Sequence, residues 1–594
     1  MDICSKLQSI EPQEGFYLLH TDNALIKLCF VTDEIVRIRA SFDKDLAEES
    51  YILLTTAWED RLDPLFAGER TRLTPVKAGL KETEDAVFFS TAEVTLRVDR
   101  DPLNFTLCDA DGNILYRALS GCPFVKDSNG RVIAYSEMKE DDCFYGFGEK
   151  AGLLNKNKKF LRERATDAMG YDPEYTDTLY KHVPFYLRLD RDTHKAVGVF
   201  YHNFYESVFN MGCEKSNYWH RYSYFQADGG DIDCFLIGGD TIPRIVDNYT
   251  MLTGRPCLLP KRALGYQASS MYYPELEKDC DDAIYDFVDT IRENDFPLDG
   301  FHLSSGYTSY NNKRCVFTWN TTRFKDPQKY LRTMKEQHAQ NVPNVKPGIL
   351  LCHPYFADFE RAGVFVQDSH DQDTYGVGRW WGGDGAFWDF TSPQARALWK
   401  KYLTDAIIDV GTDSVWNDNC EYDSLMDKDC RCNFDGKGGT IGQLKPLMST
   451  LMCKIGAEAV QEHDANARPY MVCRSGSAGN ALSLALTGGA CRLLPAVLCG
   501  LWLGLGMCII VAGVGGVFIG RRGLLPLGFL WDRCILSGFG RCLFAGIGRC
   551  LLGHPRRFGG GFLYGVRCFL GRGGQRIAIR GSCFVVAAHG KPSS

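Results

Sequence analysis

The stretch Asp413-Ser-Val-Trp-Asn-Asp-Asn-Cys-Glu-Tyr brings together residue types that suit sugar chemistry. A short apolar run ends in Trp416 and is followed at once by two carboxylates, Asp418 and Glu421, in a polar turn. A carboxylate can attack or stabilise an oxocarbenium-like carbon, and the apolar faces of sugar rings stack on Trp and Tyr. Taken alone, the same stretch also reads as a solvated loop of acidic and amide residues, so its surroundings must decide.

Those surroundings come in two rhythms. From residue 14 to about 242 the runs are short, alternating and aromatic-rich, as in Ala24-Leu-Ile-Lys-Leu-Cys-Phe-Val and His182-Val-Pro-Phe-Tyr-Leu-Arg-Leu, with Asp, Gly, Asn and Pro between them. This pattern predicts many antiparallel strands and a β-sandwich. A helix-like stretch over 247–260 then leads into apolar strands, each followed by a helix. Strands are expected at 263–270, 298–304, 345–351, 412–416 and 469–474, and helices at 278–294, 327–340 and 393–408. Serial βα units imply a parallel sheet, and the absence of a Gly-rich first turn favours a (β/α)8 barrel over a dinucleotide-binding sheet. Barrel enzymes carry their functional side chains at the C-terminal ends of the strands, which is where Asp418 falls.

Several segments together resemble glycoside hydrolase family 31, the α-glucosidase and α-xylosidase family. They are Phe144-Tyr-Gly-Phe-Gly-Glu-Lys-Ala-Gly, Arg164-Ala-Thr-Asp-Ala, Tyr180-Lys-His-Val-Pro-Phe-Tyr, Gly265-Tyr-Gln, Phe296-Pro-Leu-Asp-Gly-Phe-His-Leu, Phe317-Thr-Trp-Asn, Asp389-Phe-Thr-Ser-Pro-Gln-Ala-Arg and Trp416-Asn-Asp-Asn-Cys-Glu. The resemblance spans roughly residues 14–479. It implies a galactose mutarotase-like β-sandwich over 1–255, a catalytic TIM-type barrel over 256–480, and retaining hydrolysis of α-linked glycosides or oligosaccharides. It makes Asp418 the nucleophile, Glu421 a supporting carboxylate, and Arg474 the arginine that contacts the sugar. Trp416, Tyr307 and Trp319 are expected to bind substrate, with a packing role open for Tyr307 and Trp319. No metal or organic cofactor is implied, since two carboxylates suffice for this chemistry.

Two departures qualify the resemblance. Where the family has two Asp residues at its second barrel strand, this chain has Ser304 and Gly306, so a subsite carboxylate is missing. After Gly479 the family pattern stops, and with it the acid/base segment. The whole chain holds 67 Lys+Arg and 74 Asp+Glu; residues 481–594 hold 13 and one of these, which leaves 54 and 73 in the first 480. The net charges are therefore +12 and −19, and 25 of the 60 glycines lie in the tail. The single tail acid, Asp532, sits in no acid/base motif. Arg, Gly, Cys and Leu enrichment predicts an off-frame translation. The competing readings are a divergent module and a membrane span over 493–520, which has no charged residue but many glycines. The barrel is thus expected to be truncated after about five βα units, with little or no activity. A non-catalytic carbohydrate-binding protein and a membrane-anchored one are the alternative functions.

Composition excludes other classes. An acidic front section argues against nucleic acid as a partner. The 24 cysteines form no tight C-x-x-C pair, and Met1-Asp-Ile-Cys-Ser-Lys shows no signal-peptide pattern. A cytoplasmic location with reduced thiols is expected, and the sequons at Asn104, Asn248 and Asn320 are then chance matches.

Overall fold

The computed structural model describes residues 1–480 except 67 and 381, together with the backbone of Ala485–Leu486, Arg556–Phe558, Gly561–Leu570 and Ile577–Phe584. The β domain is built from an eight-stranded, a six-stranded and a five-stranded antiparallel sheet. Alternation along its central strands sorts side chains to two cores. Val197, Val199 and Tyr201 enter the sandwich core, whereas Ala196 and Phe200 face the core shared with the barrel. Being covered on both faces, Ala196–Tyr201 and Ile232–Ile237 are buried at every position, which explains the continuous apolar run of the first; the one charge in the second, Asp233, is paired with the buried Arg37. Asn104 and Asn248 are buried, and Asn248 donates to Glu34 and to the Gly238 carbonyl.

Helix α1 (Ile242–Thr253) links the two halves. It starts five residues before the expected 247, because Thr241 caps it by accepting from the Arg244 amide and Pro243 opens its first turn. Its apolar face packs on the sheet, with Tyr249 stacked on Phe185 at 3.9 Å between ring centroids.

The second half holds a parallel sheet in sequence order: β1 (Gln267–Ser270), β2 (Gly300–Leu303), β3 (Gln340–Val345), β4 (Ser414–Asn417), β5 (Tyr470–Cys473) and β6 (Ala485–Leu486). Helix α2 (Cys280–Glu293) meets β2 through Phe287 and Phe301, α3 (Pro327–Glu336) packs on β3 and α5 (Ile441–His463) on β4 and β5, and α4 (Pro393–Leu403) lies against α5. Two expectations change here. A sixth strand, β6, pairs with β5 beyond the point where the sequence pattern ended. The third strand is 340–345, not 345–351, and Gly348–Leu350 belongs instead to a three-stranded antiparallel insert with Val377–Trp380 and Gly383–Phe387. Strand β3 looks polar in sequence because its amides have partners: Gln340 donates to Asp413, Asn341 accepts from Tyr330, and Asn344 donates to Asp418. Helix 393–408 is confirmed as α4 continued by a π turn, Thr404–Ile408.

Residues 493–520 lie outside the described residues, among which no helix is long and apolar enough to cross a membrane. Within Val511–Ser594, Arg556–Phe558, Gly561–Leu570 and Ile577–Phe584 pair as antiparallel strands.

Candidate active site

Alternate residues of the parallel sheet point to opposite faces. Leu303, Val345, Val415 and Cys473 join the helix-covered core, while Val342, Trp416, Tyr470 and Val472 form a separate cluster on the other face. Continuing that second face by period two brings Asn344, Asp418 and Arg474 to the C-terminal ends of three adjacent strands.

Asp418 is 8% exposed and held on both oxygens. Its Oδ2 accepts from Asn344 Nδ2 at 3.0 Å and from the Lys346 ammonium. Its Oδ1 accepts from the Asn419 amide at 2.9 Å, with Arg474 Nε 3.6 Å away. Burial pushes this carboxyl up, but the Lys346 and Arg474 cations and the donors on Oδ2 outweigh it, leaving Asp418 below its ordinary value and ionised. Glu421 is fully buried and accepts both arms of Arg474, Nε at 2.9 Å and Nη2 at 3.0 Å. Burial dominates there and raises the Glu421 carboxyl to about 7 against the pull of Arg474. For Arg474, burial works against the charge, but Glu421, Asp418 and Asp167 more than offset it and raise its pKa.

The β domain completes this site. Asp167 Oδ2 accepts from Arg474 Nη2 at 2.8 Å, and the Tyr180 ring lies 5.2 Å from the guanidinium carbon. Lys181–His182 pairs in parallel with Gly476–Ser477, and Lys181 donates to the Arg474 carbonyl, so the chain just after β5 is anchored on the other domain. The Asp167 amide donates to Asp423, whose second oxygen accepts from Lys445 on α5. A cleft of about 310 Å³ opens beside Asn419 and Glu421, lined also by Asp167, Arg379 and Asp423. Among the described residues no group of three or more His, Cys, Asp and Glu side chains is arranged to hold a metal.

The aromatic expectations fare differently from the charged ones. Tyr307 is wholly buried, donates to the Asn344 carbonyl and packs on Trp319 at 4.5 Å, so it cannot form a substrate wall. The indole of Trp319 donates to the Ala406 carbonyl in the π turn after α4, which commits it to packing between sheet and helix. Trp416 packs in the inner face of the sheet, 5.8 Å from the His302 ring and one layer below Asp418, as floor rather than wall. At position 306 a Cβ would lie 2.3 Å from the Pro274 carbonyl oxygen, so no side chain fits there. Ser304 is buried, and its hydroxyl has no hydrogen-bond partner.

Sequence reasoning missed Lys346, Asn344, Asp167 and Tyr180. The last two stand in segments already singled out, Arg164-Ala-Thr-Asp-Ala and Tyr180-Lys-His, and a polar residue inside such a segment was the available signal.

Residues 25–210 match the glycosyl hydrolase 31 N-terminal galactose mutarotase-like domain, and residues 256–486 match the glycosyl hydrolases family 31 TIM-barrel domain. Alpha-glucosidase 2 of Bacillus thermoamyloliquefaciens is 28% identical over 487 residues, which is 78% of this chain and 56% of that protein. The alpha-glucosidase of Saccharolobus solfataricus is 26% identical over 300 residues, 50% of this chain and 40% of the relative. Among solved structures, a family 31 dextranase of Flavobacterium johnsoniae complexed with glucose superposes with a TM-score of 0.72 at 21% identity, over 82% of this chain and 56% of that one. The glucosidase II alpha subunit superposes with a TM-score of 0.68 at 17% identity, covering 82% and 59%. The chain thus spans a little over half the length of the first of these relatives.

Proposed function

Because this chain resembles glycoside hydrolase family 31 across both of its described domains, we propose that it acts on α-linked glucosides or oligosaccharides by double displacement, with Asp418 as nucleophile. The observation that carries the reading is the state of Asp418: ionised, buried and held on both oxygens at the C-terminal end of a parallel strand, one residue before Asn419, which lines the cleft. In the first step an Asp418 oxygen bonds to the anomeric carbon as the bond to the leaving oxygen breaks. Arg474, fixed by Glu421 and Asp167, keeps its positive charge 3.6 Å from Asp418 Oδ1. The relatives' names, alpha-glucosidases and a dextranase, point to α-glucosides as the first substrates to try.

The leaving group needs a proton, but Asp167 and Asp423 are paired with Arg474 and Lys445, and Glu421, although raised to about 7, turns both oxygens to the Arg474 guanidinium. We therefore expect turnover of an activated glycoside, whose leaving group departs unprotonated, to exceed that of an ordinary disaccharide by about 10²–10⁴-fold. Asp418→Asn should abolish both. Unchanged hydrolysis of the activated glycoside by that variant would remove the nucleophile assignment. The same lack of a spare acid favours a second reading, sugar binding without turnover. Saturable oligosaccharide binding with no covalent labelling of Asp418 by a mechanism-based glycosyl fluoride would select it.

A further inference from the structure

Among the described residues, Lys346 is the lysine whose ammonium reaches Asp418 from a neighbouring strand. It directly follows β3, is 8% exposed, and lies on the sheet face shared by Asn344 and Asp418. Its ammonium donates to Asp418 Oδ2 and, at 2.5 Å, to Asn419 Oδ1. Asn419 has a left-handed backbone, φ 53°, which few residue types adopt without cost. The same ammonium therefore ties down both the carboxylate and the turn that carries it. Asn344 adds a second donor to Oδ2, leaving Oδ1 with the Asn419 amide and the more distant Arg474.

We propose that Lys346 is the positioning residue of the nucleophile, holding Oδ2 so that Oδ1 is the oxygen that attacks. The inference rests on the reading of Asp418 as nucleophile. In the glycosylation step with a glycosyl fluoride, the C1–F pair leaves as fluoride while an Oδ1 pair forms the new C1–O bond, and no proton moves. Throughout that step the carboxylate charge withdraws into an ester whose carbonyl oxygen is Oδ2, and Lys346 keeps its hydrogen bond to it. The ionisable groups that face Asp418 are Lys346 beyond β3, Arg474 beyond β5 and Glu421 on its own loop, with Asp167 of the β domain acting through Arg474. Lys346 is the only one of these whose ammonium reaches Oδ2, and because the pair is buried, removing one partner strands the other's charge.

The test uses the full chain and 5-fluoro-α-D-glucosyl fluoride, following attachment of the sugar to the Asp418 peptide by mass spectrometry across pH. With Lys346→Met, labelling at pH 5 should slow by about ten-fold or more, and the acidic limb of the rate profile should move to higher pH. Lys346→Arg, which keeps a charge near Oδ2, should recover most of the rate and the profile. A Lys346→Met protein labelled at the wild-type rate with the wild-type profile overturns the proposal. A thermal-unfolding cycle of Asp418→Asn, Lys346→Met and the double variant provides a readout that does not depend on labelling. Each single change strands a buried partner, so the double variant should lose less than the sum. Additive losses would also overturn it. If wild type itself is not labelled, the nucleophile reading falls and takes this role of Lys346 with it; a coupled cycle would then mark a structural ion pair.

Discussion

At the scale of single residues, the site separates two carboxyls three positions apart by what surrounds them. Asp418 has two cations and two amide donors within reach and stays ionised, whereas Glu421 has one guanidinium and deeper burial and is raised from 4.5 to about 7. A carboxyl raised on folding takes up a proton in the folded state between those two values. Stability is then full below about pH 4.5 and falls as pH rises toward 7, the reverse of the usual carboxylate trend. Glu421→Gln cannot titrate, so the wild-type melting temperature should fall more steeply than the variant's between pH 4.5 and 7.5. Glu163, raised by burial to about 7 beside Lys150, titrates in the same window but is common to both proteins and cancels in the difference. A difference curve flat across that window would show that the Arg474 fork keeps Glu421 ionised. The charged half of this site was legible in the sequence because Asp418, Glu421 and Arg474 stand in recognisable segments. The aromatic half was not, because a Tyr or Trp looks alike in sequence whether it faces sugar or, like Tyr307, is wholly enclosed.

At the scale of elements, the third strand shows how a shift of a few residues conceals a functional side chain. Reading the apolar run 345–351 as the strand put Lys346 in its interior. With the strand ending at Val345, Lys346 stands at the C-terminal edge where barrel chemistry is done. The stretch 340–345 carries no apolar run, and the helix expected over 327–340 overlaps its first residue; the helix in fact ends at Glu336 and Gln340 opens the strand. Only the tertiary partners Asp413, Tyr330 and Asp418 make the amides of Gln340, Asn341 and Asn344 affordable in a strand. The turn after β2 makes a harder constraint visible. The Pro274 carbonyl occupies the space a side chain at 306 would need, so even Gly306→Ala should destabilise by roughly 1–3 kcal/mol. Denaturant unfolding checks this, and a variant as stable as wild type would mean that the Pro274 segment yields freely. The family's carboxylate therefore cannot be restored here by one substitution, and Ser304, buried with its hydroxyl unpartnered, is the polar side chain left at that strand end.

At the scale of the molecule, the β domain is a working part of the site rather than an appendage. One continuous core runs from Phe185, Phe200 and Phe235 of the eight-stranded sheet through Ile245 and Tyr249 of α1 to Tyr307, Trp388 and Trp399 on the barrel side. The strand pair Lys181–His182 with Gly476–Ser477 crosses the same boundary, as do the ion pairs Asp167–Arg474 and Lys454–Glu69. The two-rhythm pattern of the sequence located both halves but not this seam, because strands buried on both faces show no alternation that would reveal a second partner. A shared core predicts that the halves unfold together. Tyr249→Ala removes an aromatic stacked at 3.9 Å on Phe185 and should cost about 3–5 kcal/mol, the range for deleting a buried aromatic ring. Because Tyr249 belongs to the seam, that loss should lower the melting of the β domain and of the barrel alike. Near-ultraviolet circular dichroism, to which the buried Trp388 and Trp399 contribute from the barrel, should move together with the far-ultraviolet loss of β structure in one calorimetric transition. If the tryptophan signal kept its wild-type midpoint while the β signal fell, the two halves would be independent, and the grip of Lys181 and Asp167 on Arg474 would be too weak to organise the site.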